Sequence, residues 1–216
     1  MSKFSWESFN KIPLIGIVRN LPAQQVIEMV EYYYSAGLRT IEVTMNSPGA
    51  TDIIKALVEA SAGKMNIGAG TVCTMEDLQN AVGAGAQFIV TPVLNESIIR
   101  ESVKLSVPIF PGAYTPTEIY NAWSMGASMV KVFPATRLGV DFIKDVLAPM
   151  NYLKLVPTGG VDSNNFTDYL AAGAAGVGLG SNLFPRDLIE QRRWDELKKI
   201  FQTFYIRYSE FRNRSI

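Results

Sequence analysis

A chain of 216 residues, 48% of them hydrophobic, with 20 acidic and 20 basic side chains and no histidine, suffices for one large α/β domain or two small ones. The balanced charge argues against a nucleic-acid surface or an anionic membrane as partner, and the apolar runs break at Gly, Pro or charge well short of a membrane span. The missing histidine removes Ser-His-Asp and Cys-His catalysis, His-ligated zinc and a histidine general base, which leaves Lys, Glu, Asp, Tyr and backbone groups for any chemistry.

The N-terminal Met1-Ser2-Lys3-Phe4-Ser5-Trp6-Glu7 lacks the apolar core of a signal peptide. The single cysteine, Cys73, cannot form an internal disulfide. Both point to a soluble cytoplasmic protein. A short amphipathic segment (Phe4 to Lys11) precedes the first strand pattern at Leu14-Ile15-Gly16-Ile17-Val18. Pro22 opens a helix that runs to Ala36 and is closed by Gly37. Thr40 to Thr44 reads as the second strand and Ala50 to Ser61 as its helix; Asn66 to Thr71 is the third, followed by a helix from Met75 to Val82. Gln87 to Thr91 and Glu96 to Leu105 make the fourth pair, and Val107 to Phe110 and Pro116 to Met125 the fifth. The sixth strand is Met129 to Pro134 with a helix from Val140 to Ala148. The seventh is Lys154 to Pro157 with Ser163 to Ala172, and the eighth is Ala175 to Leu179.

Ala36-Gly37-Leu38, Ala84-Gly85-Ala86, Met125-Gly126-Ala127 and Ala172-Gly173-Ala174 repeat one theme, a helix-ending Gly a few residues before an apolar strand. A repeat of roughly twenty to twenty-six residues is the mark of successive βα units. Eight units whose strands are apolar on both faces predict a parallel sheet closed into a (β/α)8 TIM barrel. The runner-up is an open doubly wound sheet, weakened by the absence of Gly-x-Gly-x-x-Gly after the first strand. No linker divides the chain, so residues 1–216 read as one domain with a short N-terminal and a longer C-terminal helix. In that last helix Leu197, Ile200, Phe201, Phe204, Tyr208 and Phe211 recur at helical spacing and predict packing on the barrel, while Arg207, Arg212 and Arg214 read as a solvated face. Tyr32, Tyr33 and Tyr34 read as helix residues packed around its faces.

In such barrels chemistry sits at the C-terminal ends of the strands. There stand Arg19, Glu42, Thr71, Thr91-Pro92, Lys131 with Phe133, Thr158-Gly159-Gly160 and Gly180-Ser181. Lys131 lies alone in the apolar run Met129 to Pro134. Burying its ammonium is costly, and desolvation favours the neutral amine that can attack a ketone. The plainer reading is a strand-end lysine reaching water, or half of a structural ion pair. Glu42, the lone carboxylate within the predicted strands, is its natural partner in a shared interior, and in a chain without histidine the two make the catalytic set. The glycine loops at Gly159-Gly160 and Gly180 suit close approach of backbone N–H groups to an anion, against a plain reading as turns. Arg19 could hold a carboxylate or phosphate bidentately, or be a surface arginine. Cys73 reads as a small loop or core residue.

These segments, read together, carry a resemblance. Ile41-Glu42-Val43-Thr44, Gly68-Ala69-Gly70-Thr71-Val72, Ile89-Val90-Thr91-Pro92, Pro111-Gly112, Lys131-Val132-Phe133-Pro134-Ala135, Pro157-Thr158-Gly159-Gly160-Val161 and Gly178-Leu179-Gly180-Ser181 resemble, in order, the class I 2-keto-3-deoxy-6-phosphogluconate and -phosphogalactonate aldolases. The resemblance implies a TIM barrel, commonly a homotrimer, that needs no metal or other cofactor. Its substrate would be a small phosphorylated keto-deoxy sugar acid, split into pyruvate and D-glyceraldehyde 3-phosphate. It assigns Lys131 to the Schiff base, Glu42 to proton transfer through a water, Thr71 and Pro92 to the pyruvyl pocket with Phe133 packed over it, and the Gly159-Gly160 and Gly180-Ser181 loops to the phosphate. Arg19 and Met45-Asn46-Ser47-Pro48 resemble the phosphogalactonate branch, which lacks the arginine that the gluconate enzymes carry where Asn46 stands. Thr158 resembles the phosphogluconate branch, so the two signals point to opposite epimers. An unphosphorylated substrate such as 4-hydroxy-2-oxoglutarate and a non-catalytic sugar-phosphate-binding barrel are the alternatives.

Overall fold

The computed structural model describes residues 3–214; Met1, Ser2, Ser215 and Ile216, part of the expected 1–216 domain, lie outside the described residues. The chain alternates strands and helices: α1 (Trp6–Lys11), β1 (Leu14–Val18), α2 (Ala23–Ser35), β2 (Thr40–Thr44), α3 (Ala50–Ser61), β3 (Asn66–Gly70), α4 (Met75–Gly83), β4 (Ile89–Val90), α5 (Glu96–Lys104) and β5 (Ile109–Phe110). Then come β6 (Gly112–Ala113), α6 (Pro116–Ser124), β7 (Val130–Val132), α7 (Gly139–Leu147), β8 (Leu155–Pro157), α8 (Phe166–Ala171), β9 (Val177–Leu179), α9 (Arg186–Glu190) and α10 (Trp194–Arg214). Among the described residues no helix is long and apolar enough to cross a membrane.

Every strand pairing is parallel. The strands form a six-stranded sheet of order β5-β4-β3-β2-β1-β9 and a three-stranded sheet of order β6-β7-β8. This differs from the expected single ladder of eight strands by two breaks, β5 from β6 and β8 from β9, and the first has its reason in one residue. The fifth strand is split by Pro111, which has no N–H to continue a ladder, so Ile109–Phe110 pairs with β4 while Gly112–Ala113 turns to β7. Backbone bonds still span both seams. On one side Ser128 N–H, just before β7, donates to Ile109 O of β5 at 3.0 Å. On the other, Ala175 N–H donates to Leu155 O at 2.8 Å and Thr158 bridges Gly178.

The repeated glycines do what their spacing predicts. Gly37, Gly85, Gly126 and Gly173 follow α2, α4, α6 and α8 with φ between +94° and +100°, the left-handed turn that only Gly adopts without strain. Threonine caps start α4 and α6, with reciprocal bonds from Asp77 and Glu118. The strands bury both faces because the helices cover one side and the opposed strands the other.

A separate apolar cluster (Phe4, Phe9, Ile15, Phe88, Val90, Phe110, Met129 and Val156) closes the end where several strands begin. Phe88 sits 5.3 Å from Phe4 and 5.5 Å from Phe110 between ring centroids. The segment before α1 is pinned there by Asn66, the first residue of β3. Its Oδ1 accepts from Ser5 N–H at 2.7 Å and its Nδ2 donates to Ser5 O at 3.1 Å. At the outer wall α10 lays Leu197, Phe201, Phe204 and Tyr208 against the body, with Phe201 edge-on to Tyr33 at 5.2 Å. Tyr33 is fully buried, Tyr32 stacks on Trp194, and Tyr34 lies under Arg39. Arg207 is not merely solvated: its guanidinium donates to Ser163 O and Asn164 Oδ1, tying α10 to the loop before α8.

Candidate active site

The site is built at the opposite end, where the strands finish. β2 and β7 are short and buried throughout, and the pleat turns alternate residues to opposite faces. Glu42 and Lys131 are therefore carried on rigid backbone, 1% and 2% exposed. Burial holds Glu42 above the usual carboxylate range, an effect opposed by the charges of Lys131 and Arg19. Burial likewise holds Lys131 below the usual ammonium range, opposed by Glu42 and aided by Arg19. The expected meeting of the two is a coupling of charge, not a contact: among the described residues Glu42 Oε1 has no hydrogen-bond partner. The carboxylate leans instead on β3, where a Cβ at Gly70 would collide with Oε1. Only a residue without a side chain admits Glu42 there.

Thr71, next in sequence, has φ +54°. For a β-branched residue this conformation stores strain of about 1–3 kcal/mol, a cost found where a site dictates the backbone. Pro92 lies half-buried after β4. Its backbone packs on Gly112, the residue in register with Lys131. Phe133 places its ring centroid 4.8 Å from Lys131 Nζ.

Phe133 also lines a cleft of about 370 Å³, together with Arg19, Thr158, Gly159, Gly160, Gly180 and Ser181. Seven of the sequence-predicted residues are thus gathered on one cavity. Lys131, Glu42, Thr71 and Pro92 are not among its lining residues; Phe133 is the link between the two groups. Gly159 and Gly160 adopt φ +90° and +74°, and among the described residues their N–H groups donate to no protein acceptor. The loop is held in shape by Asn165, whose Nδ2 donates to Gly160 O at 2.9 Å, and by Asn182, whose Nδ2 donates to Val161 O at 3.2 Å. Arg19 is exposed at the rim. The turn after it is tied to the end of β2, since Asn20 N–H donates to Ser47 Oγ at 2.8 Å and Ser47 Oγ lies 2.9 Å from Thr44 Oγ1.

The sequence reading missed Ile17, Leu21, Val161, Asn182, Phe184 and Arg186, which also line the cleft. A signal was present: Ser181-Asn182 and Arg186 follow directly on a glycine-ended strand. Cys73 proves to be an exposed loop residue.

Comparison with known proteins agrees with this geometry. The sequence profile of KDPG and KHG aldolase matches residues 7–200. The chain is 35% identical over 180 residues to 2-dehydro-3-deoxy-6-phosphogalactonate aldolase of Escherichia coli K12, covering 83% of this chain and 87% of that one. It is also 35% identical over 195 residues to 2-dehydro-3-deoxy-phosphogluconate aldolase of Haemophilus influenzae, covering 90% and 92%. The crystal structure of KDPG aldolase from Legionella pneumophila, with pyruvate captured as a covalent carbinolamine, superimposes with a TM-score of 0.85 at 27% identity, covering 91% of this chain and 96% of that one. With its buried lysine and glutamate beneath a glycine-lined cleft, the chain belongs to the KDPG and KHG aldolase family.

Proposed function

We propose that the protein is a class I aldolase that cleaves a 2-keto-3-deoxy-6-phospho sugar acid into pyruvate and D-glyceraldehyde 3-phosphate, with Lys131 as its nucleophile. The observation that carries this reading is the buried amine of Lys131, held below its ordinary pKa by desolvation and coupled to the one buried carboxylate near it. A neutral amine has the lone pair that attacks the C2 keto carbon. The resulting carbinolamine loses water to give a protonated imine. Cleavage of the C3–C4 bond then sends its electron pair into the imine, which leaves a pyruvyl enamine on Lys131. The C4 hydroxyl proton departs with the aldehyde's formation, and Glu42 accepts it. Glu42 returns a proton to C3, and hydrolysis of the pyruvyl imine frees Lys131. Because the two side chains do not touch, the water released on dehydration is the natural carrier between them.

Thr71, Pro92 and Phe133 frame the pyruvyl end. The unpaired N–H groups of Gly159 and Gly160, with Gly180 and Ser181 across the cleft, would receive the phosphate, and Arg19 the charge at the rim. We further propose that the two sheets are arcs of one (β/α)8 barrel, a reading supported by the backbone bonds across both seams, and that the enzyme is a cytoplasmic homotrimer.

The test is borohydride reduction in the presence of pyruvate, followed by peptide mass mapping. A pyruvyl adduct is expected on the peptide containing Lys131 and nowhere else, with none in Lys131→Met. A folded wild-type protein that forms no adduct would sink the Schiff-base mechanism.

A further inference from the structure

A second arginine, which the reaction above does not use, stands on the wall of the cleft. Arg186 opens α9 and lines the same cavity as Arg19, Gly159, Gly160 and Ser181. Arg19 stands at the end of the first strand, whereas Arg186 follows the eighth-unit loop that carries Gly180 and Ser181. The Arg186 side chain is well exposed, and its Nε donates to Glu190 Oε1, one turn along α9, at 2.8 Å. An exposed i,i+4 pair is worth well under 1 kcal/mol, so it positions the guanidinium without holding it captive. The helix beneath is firm: Leu188 and Ile189 are buried, and Phe184, just ahead of it, stacks on Tyr33 at 5.9 Å.

We propose that Arg186 is a specificity-determining residue that binds the phosphate of the substrate. It would add a bidentate, charge-assisted clamp to the neutral N–H cradle of the glycine loops. The inference rests on the aldolase reading. It deepens that reading by giving the phosphate a cation of its own, with Arg19 left for the other charge of the substrate. A guanidinium beside the N–H cradle adds a charge-assisted bond that an unphosphorylated keto acid cannot make, which strengthens selection for the phosphate.

The measurement is kcat and KM for the phosphorylated keto-deoxy sugar acid and for unphosphorylated 4-hydroxy-2-oxoglutarate, in wild type and in Arg186→Ala and Arg186→Lys, with the inhibition constant of inorganic phosphate alongside. Borohydride trapping of pyruvate on each variant certifies a folded, competent Lys131 and separates failure of this inference from failure of the aldolase reading. With Arg186→Ala, the phosphorylated-to-unphosphorylated ratio of kcat/KM should fall about ten- to hundredfold, through KM, and phosphate should inhibit more weakly by a similar factor. Arg186→Lys should recover part of the ratio, because the charge returns without the fork. If Arg186→Ala traps pyruvate yet keeps both the substrate ratio and the phosphate inhibition of wild type, the clamp is not there. A variant whose KM rises equally for both substrates would overturn it as well, by placing Arg186 on a group that both share.

Discussion

Lys131 and Glu42 perturb each other in opposite senses, and that gives a test at the level of single side chains. The carboxylate raises the pKa of the amine, working against desolvation. Removing its charge takes away the larger opposition to desolvation and leaves only the smaller effect of Cys73. Glu42→Gln should shift the pH at which pyruvate trapping sets in to lower values, because the amine deprotonates more readily. The same change should slow turnover by roughly 10²–10⁴-fold through loss of the proton carrier. A pH profile that moved upward, or not at all, would uncouple the pair. Both residues were legible in the sequence because a charge inside an apolar strand is an anomaly that composition cannot hide. Arg186 was not. A lone arginine after a strand-end loop looks like any surface arginine until the turn of residues 180–185 sets it on the wall of the cavity.

At the scale of elements, the most instructive joint is the one between α2 and β2. Tyr33 reaches from the helix to the first residue of the strand, its O–H donating to Thr40 O at 2.7 Å within a fully buried setting. Burial pushes its phenol pKa well up, so the bond is a neutral one at any working pH. Tyr33→Phe strands a buried carbonyl and should cost about 1–3 kcal/mol of stability, read as a lower urea midpoint with an unchanged slope. An unaltered midpoint would mean that Thr40 O finds another donor.

Most helix starts and stops followed from their own sequences, since caps and glycine turns are local devices; the helix read from Ser163 begins only at Phe166, and α9 was not read at all. The strands did not follow in this way. Gln87 to Thr91 reads as five residues of strand but only Ile89–Val90 pairs as one, and Val107 to Phe110 is cut to Ile109–Phe110. How far a strand extends is fixed by its neighbour's register, which no local pattern contains. Pro111 was visible, but its effect, handing the fifth strand from one sheet to the other, depends on which strands flank it.

For the molecule as a whole, the two buried ionisable groups are a thermodynamic burden. The lowered pKa of Lys131 means that its contribution to stability is intact above its ordinary value of 10.5 and is lost as pH falls towards the folded value. The raised pKa of Glu42 means the reverse: its contribution is intact below 4.5 and is lost as pH rises towards the folded value. Near neutrality the protein bears both losses. Lys131→Met combined with Glu42→Gln should therefore give an inactive protein more stable than wild type at pH 7 by about 1–4 kcal/mol. That advantage should shrink towards either extreme of pH. A double variant less stable than wild type at neutral pH, measured by denaturant unfolding across the range, would show that the pair supports the fold it sits in.

The aromatic cluster under α1 gives the chamber a floor. Phe88, Phe110 and Phe4 interlock there, and Asn66 fastens the chain across it, so a molecule joined to Lys131 cannot pass out through that end. If Lys131 is the nucleophile proposed above, a phosphorylated fragment held at the glycine loops must clear the passage before the three-carbon acid tethered behind it can be hydrolysed and follow.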